Sequence, residues 1–158
     1  MLILDGTISS DILTFLARLQ EETLPCSIKL YQDWLQEHAT CNNHDHEHPE
    51  GIIYLRVLPE IAHARLQKQL STQNLMNLDD IKCIHREKEQ LFIENKNSPQ
   101  ALKHLPVLVL NGNIDFQTDF SQFYNHLFYI RRFLKQIQER KEIALGVHKK
   151  EAPHRRCC

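Results

Sequence analysis

The chain has 158 residues, 42% of them apolar and 25% charged. That is one domain's length with enough apolar material for a core, which excludes a wholly disordered or collagen-like chain. With 19 basic and 20 acidic residues the formal net charge is −1, so no bulk field draws the chain to nucleic acid or to an anionic membrane.

Residues 1–4 are an apolar run closed by the turn pair Asp5-Gly6, and they read as a short strand. Ser9 and Ser10 are N-cap candidates for a helix in which Ile12, Leu13, Phe15, Leu16 and Leu19 recur at helical spacing. Beyond Pro25 a second helix is predicted, with Ser27 as its cap and Ile28, Leu30, Tyr31, Trp34 and Leu35 as its apolar stripe. Residues 39–50 are polar and histidine-rich and predict a loop. Ile52, Ile53, Tyr54, Leu55 and Val57 form a compact run suited to a buried strand. Pro59-Glu60 opens a helix through Leu66, and the polar stretch 67–77 predicts fraying into a mobile segment. Leu78, Ile81, Ile84, Lys88, Leu91 and Phe92 mark a longer helix that ends before Asn97-Ser98-Pro99. Pro106-Val107-Leu108-Val109-Leu110 reads as another strand and Asn111-Gly112-Asn113 as a turn. Phe120, Phe123, Leu127, Ile130, Phe133, Leu134 and Ile137 give a long amphipathic helix. After about residue 143 the chain is basic and contains Pro, which places a domain at 1–143 and a flexible basic tail at 144–158. Alternating buried strands and amphipathic helices predict an α/β domain with a short, three-stranded parallel sheet, and right-handed crossovers place helices on its faces.

The four glycines include no Gly-Lys pair, so no phosphate-binding loop is present in these residues. Five cysteines, an odd number without a CxxC pair, favour a reduced, intracellular setting over a disulfide framework. No apolar run approaches the roughly 18 residues of a membrane span, and no signal peptide is visible. The terminal Cys157-Cys158 is open to lipidation. His44, His46 and His48 would share one side of an extended segment and suit Zn²⁺ or Ni²⁺. They lack a downstream Cys/His pair at finger spacing, which favours a solvated loop and no metal site. His85 reads as structural. Lys149-Lys150 and Arg155-Arg156 are too few, without interleaved aromatics, to read as a nucleic-acid surface.

Several segments agree in order and spacing with one family. Tyr31-Gln32-Asp33-Trp34, Gly51-Ile52-Ile53-Tyr54-Leu55-Arg56, Pro59-Glu60, Ile84-His85 with Lys88-Glu89, Leu105-Pro106-Val107-Leu108 and Asn113-Ile114-Asp115-Phe116 together resemble the deoxynucleoside kinases. These are the deoxycytidine, deoxyguanosine and mitochondrial thymidine kinases, and the resemblance covers about residues 3–137. It implies an incomplete P-loop-kinase-like, three-layer α/β/α scaffold. It implies ATP with Mg²⁺ as phosphoryl donor and the 5′-hydroxyl of a deoxynucleoside as acceptor. It further implies a homodimer, or association with a complete kinase, through the amphipathic stretches at 10–24 and 78–94, and a cytoplasmic or mitochondrial location.

The resemblance also assigns residues. The family's acidic-Arg-Ser motif reads Asp5-Gly6-Thr7 here, with the acid kept and the arginine replaced by glycine. Asp5 and Arg65, the latter matching the first arginine of the family's lid, are the catalytic candidates. Gln69 and Ser71 stand near the places of later lid arginines, and Gln73 and Asn74 near those of an acidic pair. Asp11 would contact the nucleoside base and Phe15 would stack on it, while Asp115 and Phe116 would hold the adenine of ATP. Each has a plainer reading: Asp11 as a first-turn acid favoured by the helix dipole, Phe15 as core, Arg65 as a helix-surface residue, Phe116 as a cover on the last helix. The family's phosphate loop and its catalytic carboxylate have no match. The expectation is therefore an N-terminally truncated kinase-like chain with impaired or absent phosphoryl transfer, or a non-catalytic nucleotide-binding or dimerisation partner of a complete kinase. In the family the phosphate-loop strand lies mid-sheet, between the counterparts of residues 2–4 and 52–57. Its loss would expose two strand edges, so either the two strands close up, or a partner supplies the missing strand, or the chain is a fragment or divergent gene product of marginal stability.

Overall fold

A computed structural model describes residues 1–6, 11–40, 48–69, 76–116 and 118–146. Four strands and five helices follow in the order β1 (Leu2–Gly6), α1 (Asp11–Glu21), β2 (Ile28–Leu30), α2 (Tyr31–Thr40), β3 (Gly51–Arg56), α3 (Pro59–Gln69), α4 (Leu78–Phe92), β4 (Val107–Asn111) and α5 (Phe120–Ala144). The strands form one all-parallel sheet in the order β2-β1-β3-β4. The predicted α/β class is what is seen.

Strand alternation sorts the side chains into two cores. Leu2 and Leu4 of β1 and Ile53 and Leu55 of β3 face α1 and α5, where they meet Phe15, Leu19, Phe123, Leu127 and Ile130. Met1, Ile3, Ile52 and Tyr54 face the opposite way, toward Trp34 of α2 and Phe92 of α4. Helices therefore cover both faces, giving three layers. A smaller cluster of Val57, Ala62, Leu66 and Ile81 joins α3 to α4. Because β3 is covered on both sides, its sequence is a near-continuous apolar run rather than an alternating one.

Two helix starts have visible causes. Asn77 Oδ1 accepts the backbone N–H of Asp80 at 2.8 Å, and Asp79 and Asp80 place negative charge in the first turn of α4. Asp119 Oδ1 accepts from the N–H of Gln122 at 3.1 Å at the start of α5. Gly51 opens β3 where α5 lies close: a Cβ there would stand 2.8 Å from Ile137 Cδ1 and 3.0 Å from the Phe133 ring.

One expectation needs correction, and one alternative left open is decided. Ile28–Leu30 is not the first turn of a helix but a fourth strand, paired in parallel with β1 through Leu2↔Ile28 and Leu4↔Leu30, and α2 begins only at Tyr31. Three residues are too few to show an alternation, and their apolar spacing suits either reading. The sheet thus has four strands, not three. Second, β1 and β3 are direct neighbours, in register from Leu2↔Gly51 to Gly6↔Leu55. Of the three outcomes open to the flanking strands, closing up is the one adopted. Helix α5 ends at Ala144. The tail from residue 147, the lid positions Ser71, Gln73 and Asn74, the cap candidates Ser9 and Ser10, and His44 and His46 lie outside the described residues.

Candidate functional site

In an open parallel sheet, ligands are held at the carboxyl ends of the strands. Asp5 stands at that end of β1 and, by alternation, points to the α2/α4 side. It is buried, 5% exposed. Its Oδ1 accepts the N–H of Gly6 at 2.8 Å, and its Oδ2 accepts a short hydrogen bond from the ammonium of Lys88 on α4. Burial pushes the Asp5 carboxyl above its ordinary value, against the opposing pull of the Lys88 charge and of both hydrogen bonds. The same ammonium lies 5.0 Å from the centre of the Tyr31 ring and 5.7 Å from that of Phe92, a cation held over aromatic faces.

The next residue of α4 does the same for β3. Glu89 Oε1 accepts from the Tyr54 hydroxyl at 3.0 Å and from Arg56 Nε at 3.0 Å, and its Oε2 accepts from the second arm of Arg56 at 2.6 Å. This is a bidentate guanidinium–carboxylate pair with a phenol added. His85, one turn earlier, brings Nε2 to 3.9 Å from Glu89 Oε1. The Tyr54 phenol is pushed well up, first by burial and then by the charge and hydrogen bond of Glu89. Burial, and then the Asp5 charge, raise the Tyr31 phenol too.

The other predicted residues are placed elsewhere. Phe15 and Phe116 are brought together, with ring centres 4.7 Å apart, but inside the α1/α5 core at 0% and 1% exposure, with His126 packed edge-on against both. Neither ring presents a face to a base or to adenine in this conformation. His126 itself bridges two backbone carbonyls, those of Gln122 and Asn111, at 2.8 and 2.9 Å. Arg65 reaches from α3 to the carbonyl oxygens of Gly112 and Ile114, at 2.8 and 3.0 Å, and so ties down the loop after β4. Asp115 is in that loop and exposed. Asp11 is the first residue of α1, and its side chain lies outside the described set. Asp5 is thus separated by the sheet from Phe15 and Phe116. Lys88, Glu89, Tyr54 and Arg56 carry the polar centre. All four lie in segments that carry the family resemblance, but nothing in their local pattern assigns them a role. The Asp5–Lys88 pairing spans 83 positions, and no local spacing announces it.

A magnesium-bound triphosphate needs several cations free to face it. At this edge Lys88 is taken by Asp5, Arg56 by Glu89 and Arg65 by loop carbonyls. Among the described residues no cluster of His, Cys, Asp or Glu could hold a metal ion. As placed, Lys88, Arg56 and Arg65 are engaged within the chain rather than facing a triphosphate. No described helix is long and apolar enough to cross a membrane.

Two deoxycytidine kinases are among the known proteins to which this chain is similar. The chain is 34% identical to deoxycytidine kinase 2 of Gallus gallus over 95 residues, 57% of this chain and 35% of that protein. It is 29% identical to a probable deoxycytidine kinase of Fowlpox virus over 89 residues, 56% of this chain and 37% of that one. The chain thus spans little more than a third of the length of the curated relatives it matches. No family model matches.

Proposed function

We propose, from the premise that this chain is deoxynucleoside-kinase-like, that it keeps the kinase scaffold while phosphoryl transfer to a deoxynucleoside is absent or very weak. The observation that carries the reading is the seam between β1 and β3. By resemblance the phosphate-loop strand belongs between them, and here they are hydrogen-bonded neighbours over five residue pairs. The charges at the adjoining edge support the same reading. Lys88 and Arg56 are paired with carboxylates there and Arg65 is held by backbone carbonyls, whereas phosphoryl transfer rests on preorganised positive charge aimed at the transferring group, typically worth orders of magnitude in rate. The test is a radiolabelled phosphoryl-transfer assay with ATP, Mg²⁺ and each of the four deoxynucleosides. The expected result is no product above background; turnover at about 1 s⁻¹ or faster, an ordinary kinase rate, overturns it.

A second reading, association with a complete kinase, draws on one feature. Phe120, Tyr124 and Phe128 recur every four residues along α5, and each is more than half exposed. Co-purification of the chain with a co-expressed deoxycytidine kinase, lost on changing all three to Ser, supports this reading; no co-purification rejects it.

A further inference from the structure

A buried carboxylate needs a cation beside it, and in β1 the neighbouring residue is Gly6. A side chain there would be tightly packed and, by alternation, would lie on the opposite face of the sheet from the Asp5 carboxylate. A Cβ on Gly6 would lie 3.2 Å from Leu55 Cβ and 3.3 Å from both Leu55 O and Ile12 Cδ1. Those Leu55 atoms belong to β3, the strand that closes against β1, so the absence of a side chain at 6 and the direct pairing of Gly6 with Leu55 go together. The positive charge must then come from another element.

We infer that Lys88 is the positioning residue of Asp5. It delivers from α4 the cation beside Asp5, and with Glu89 it clamps the carboxyl ends of β1 and β3 across their seam. The geometry is specific. Two consecutive residues of one helix each bind one of the two strands: Lys88 binds Asp5 of β1, and Glu89 binds Tyr54 and Arg56 of β3. Lys88 is held on its other side by the rings of Tyr31 and Phe92, so its ammonium is fixed between α2, α4 and β1. The titratable and charged groups that act on or feel Asp5 are Lys88 from α4, Tyr31 from α2 and Tyr54 from β3. Of these, Lys88 alone touches the carboxylate with opposite charge. The inference stands on the sheet and its edge, and holds whether or not the chain transfers phosphate.

The experiment follows the Asp5 carboxyl carbon by NMR across a pH titration, together with amide exchange at Gly6 and Leu55. In Lys88→Met the Asp5 midpoint is expected to move further up, since the one opposing charge is gone. Exchange at the seam is expected to rise roughly tenfold or more relative to the β3–β4 ladder. Lys88→Arg should bring both back toward the starting values. An unchanged Asp5 midpoint in Lys88→Met, an exchange increase spread evenly over all four strands, or a midpoint that Lys88→Arg leaves fully shifted overturns the inference. Should Lys88→Met not fold, Asp5→Asn combined with Lys88→Met decides, because it removes both charges. It is expected to fold with the seam protected, and its failure to fold would equally overturn the role given to Lys88.

Discussion

The two faces of this sheet are built on different principles. The α1/α5 face is closed chiefly by packing, with Phe15, Phe116, Phe123 and Ile130 interlocked beneath α5 and His126 tied to backbone carbonyls among them. The α2/α4 face begins the same way, with Trp34 and Phe92 on Ile3 and Ile52, but at the carboxyl ends of the strands the packing gives way to ionised and hydroxyl groups. The resemblance places candidate ligand-facing residues on both. The structure leaves polar chemistry on one face and takes the aromatic candidates of the other into the core. The lesson is that rings which the resemblance places beside a ligand are, as the chain folds here, core filling.

The largest expected effect breaks the packed face. Phe15→Ala removes a fully buried ring from the centre of the α1/α5 core and should cost about 3–5 kcal/mol, measured by urea denaturation. Because that face holds its rings by contact, the loss should be nearly independent of pH between 5 and 9. A smaller break is Gly51→Ala, which drives a methyl group into Ile137 and Phe133. It should cost about 1–3 kcal/mol, seen as a lowered thermal midpoint.

The smallest change sharpens the contrast on the polar face. Tyr54→Phe removes one hydrogen bond to Glu89 and should cost about 1 kcal/mol at neutral pH. Its signature is in the pH dependence. The folded chain holds the Tyr54 proton more tightly than the unfolded chain does, because the phenol is raised above its ordinary value of 10.0. That stabilisation is complete below the unfolded value and is lost as pH rises through the folded midpoint. The parent chain should therefore weaken above about pH 10, and Tyr54→Phe should weaken less. Urea denaturation in steps from pH 8 to 11 checks this, and equal slopes for the two chains would contradict it. Asp5 carries the same sign at the acid end. Raised above its ordinary value of 3.8, it contributes stability that is complete below that value and declines as pH rises through the folded midpoint.

Much of the framework was legible because it is written locally. The apolar period and the breaking Asn97-Ser98-Pro99 give α4 within its observed bounds, Leu78–Phe92. The compact run at Ile52–Leu55 gives β3, since a strand covered on both faces has no polar side to show. The short β2 was not legible, because Ile28 and Leu30 fit a helical stripe as well as an edge strand, and pairing with β1 decides between them. The polar centre was half legible. Asp5 announces itself as an acid at a strand end. Lys88 and Glu89 look like ordinary charges on a helix surface until folding brings that surface over β1 and β3. The closure of β1 on β3 is likewise a choice among pairings, and residue type alone does not make it.

That closure is tested most directly by cross-strand backbone NOEs in the isolated chain. Neighbouring parallel strands lie about 4.8 Å apart, and two strands with another between them are roughly 10 Å apart, beyond reach of an amide NOE. With Ile3 opposite Ile52 and Leu4 opposite Ile53, the account predicts backbone NOEs linking both pairs. Their absence, with residues 2–6 and 51–56 still shown as strands by chemical shift, would mean that the seam is open and would contradict it.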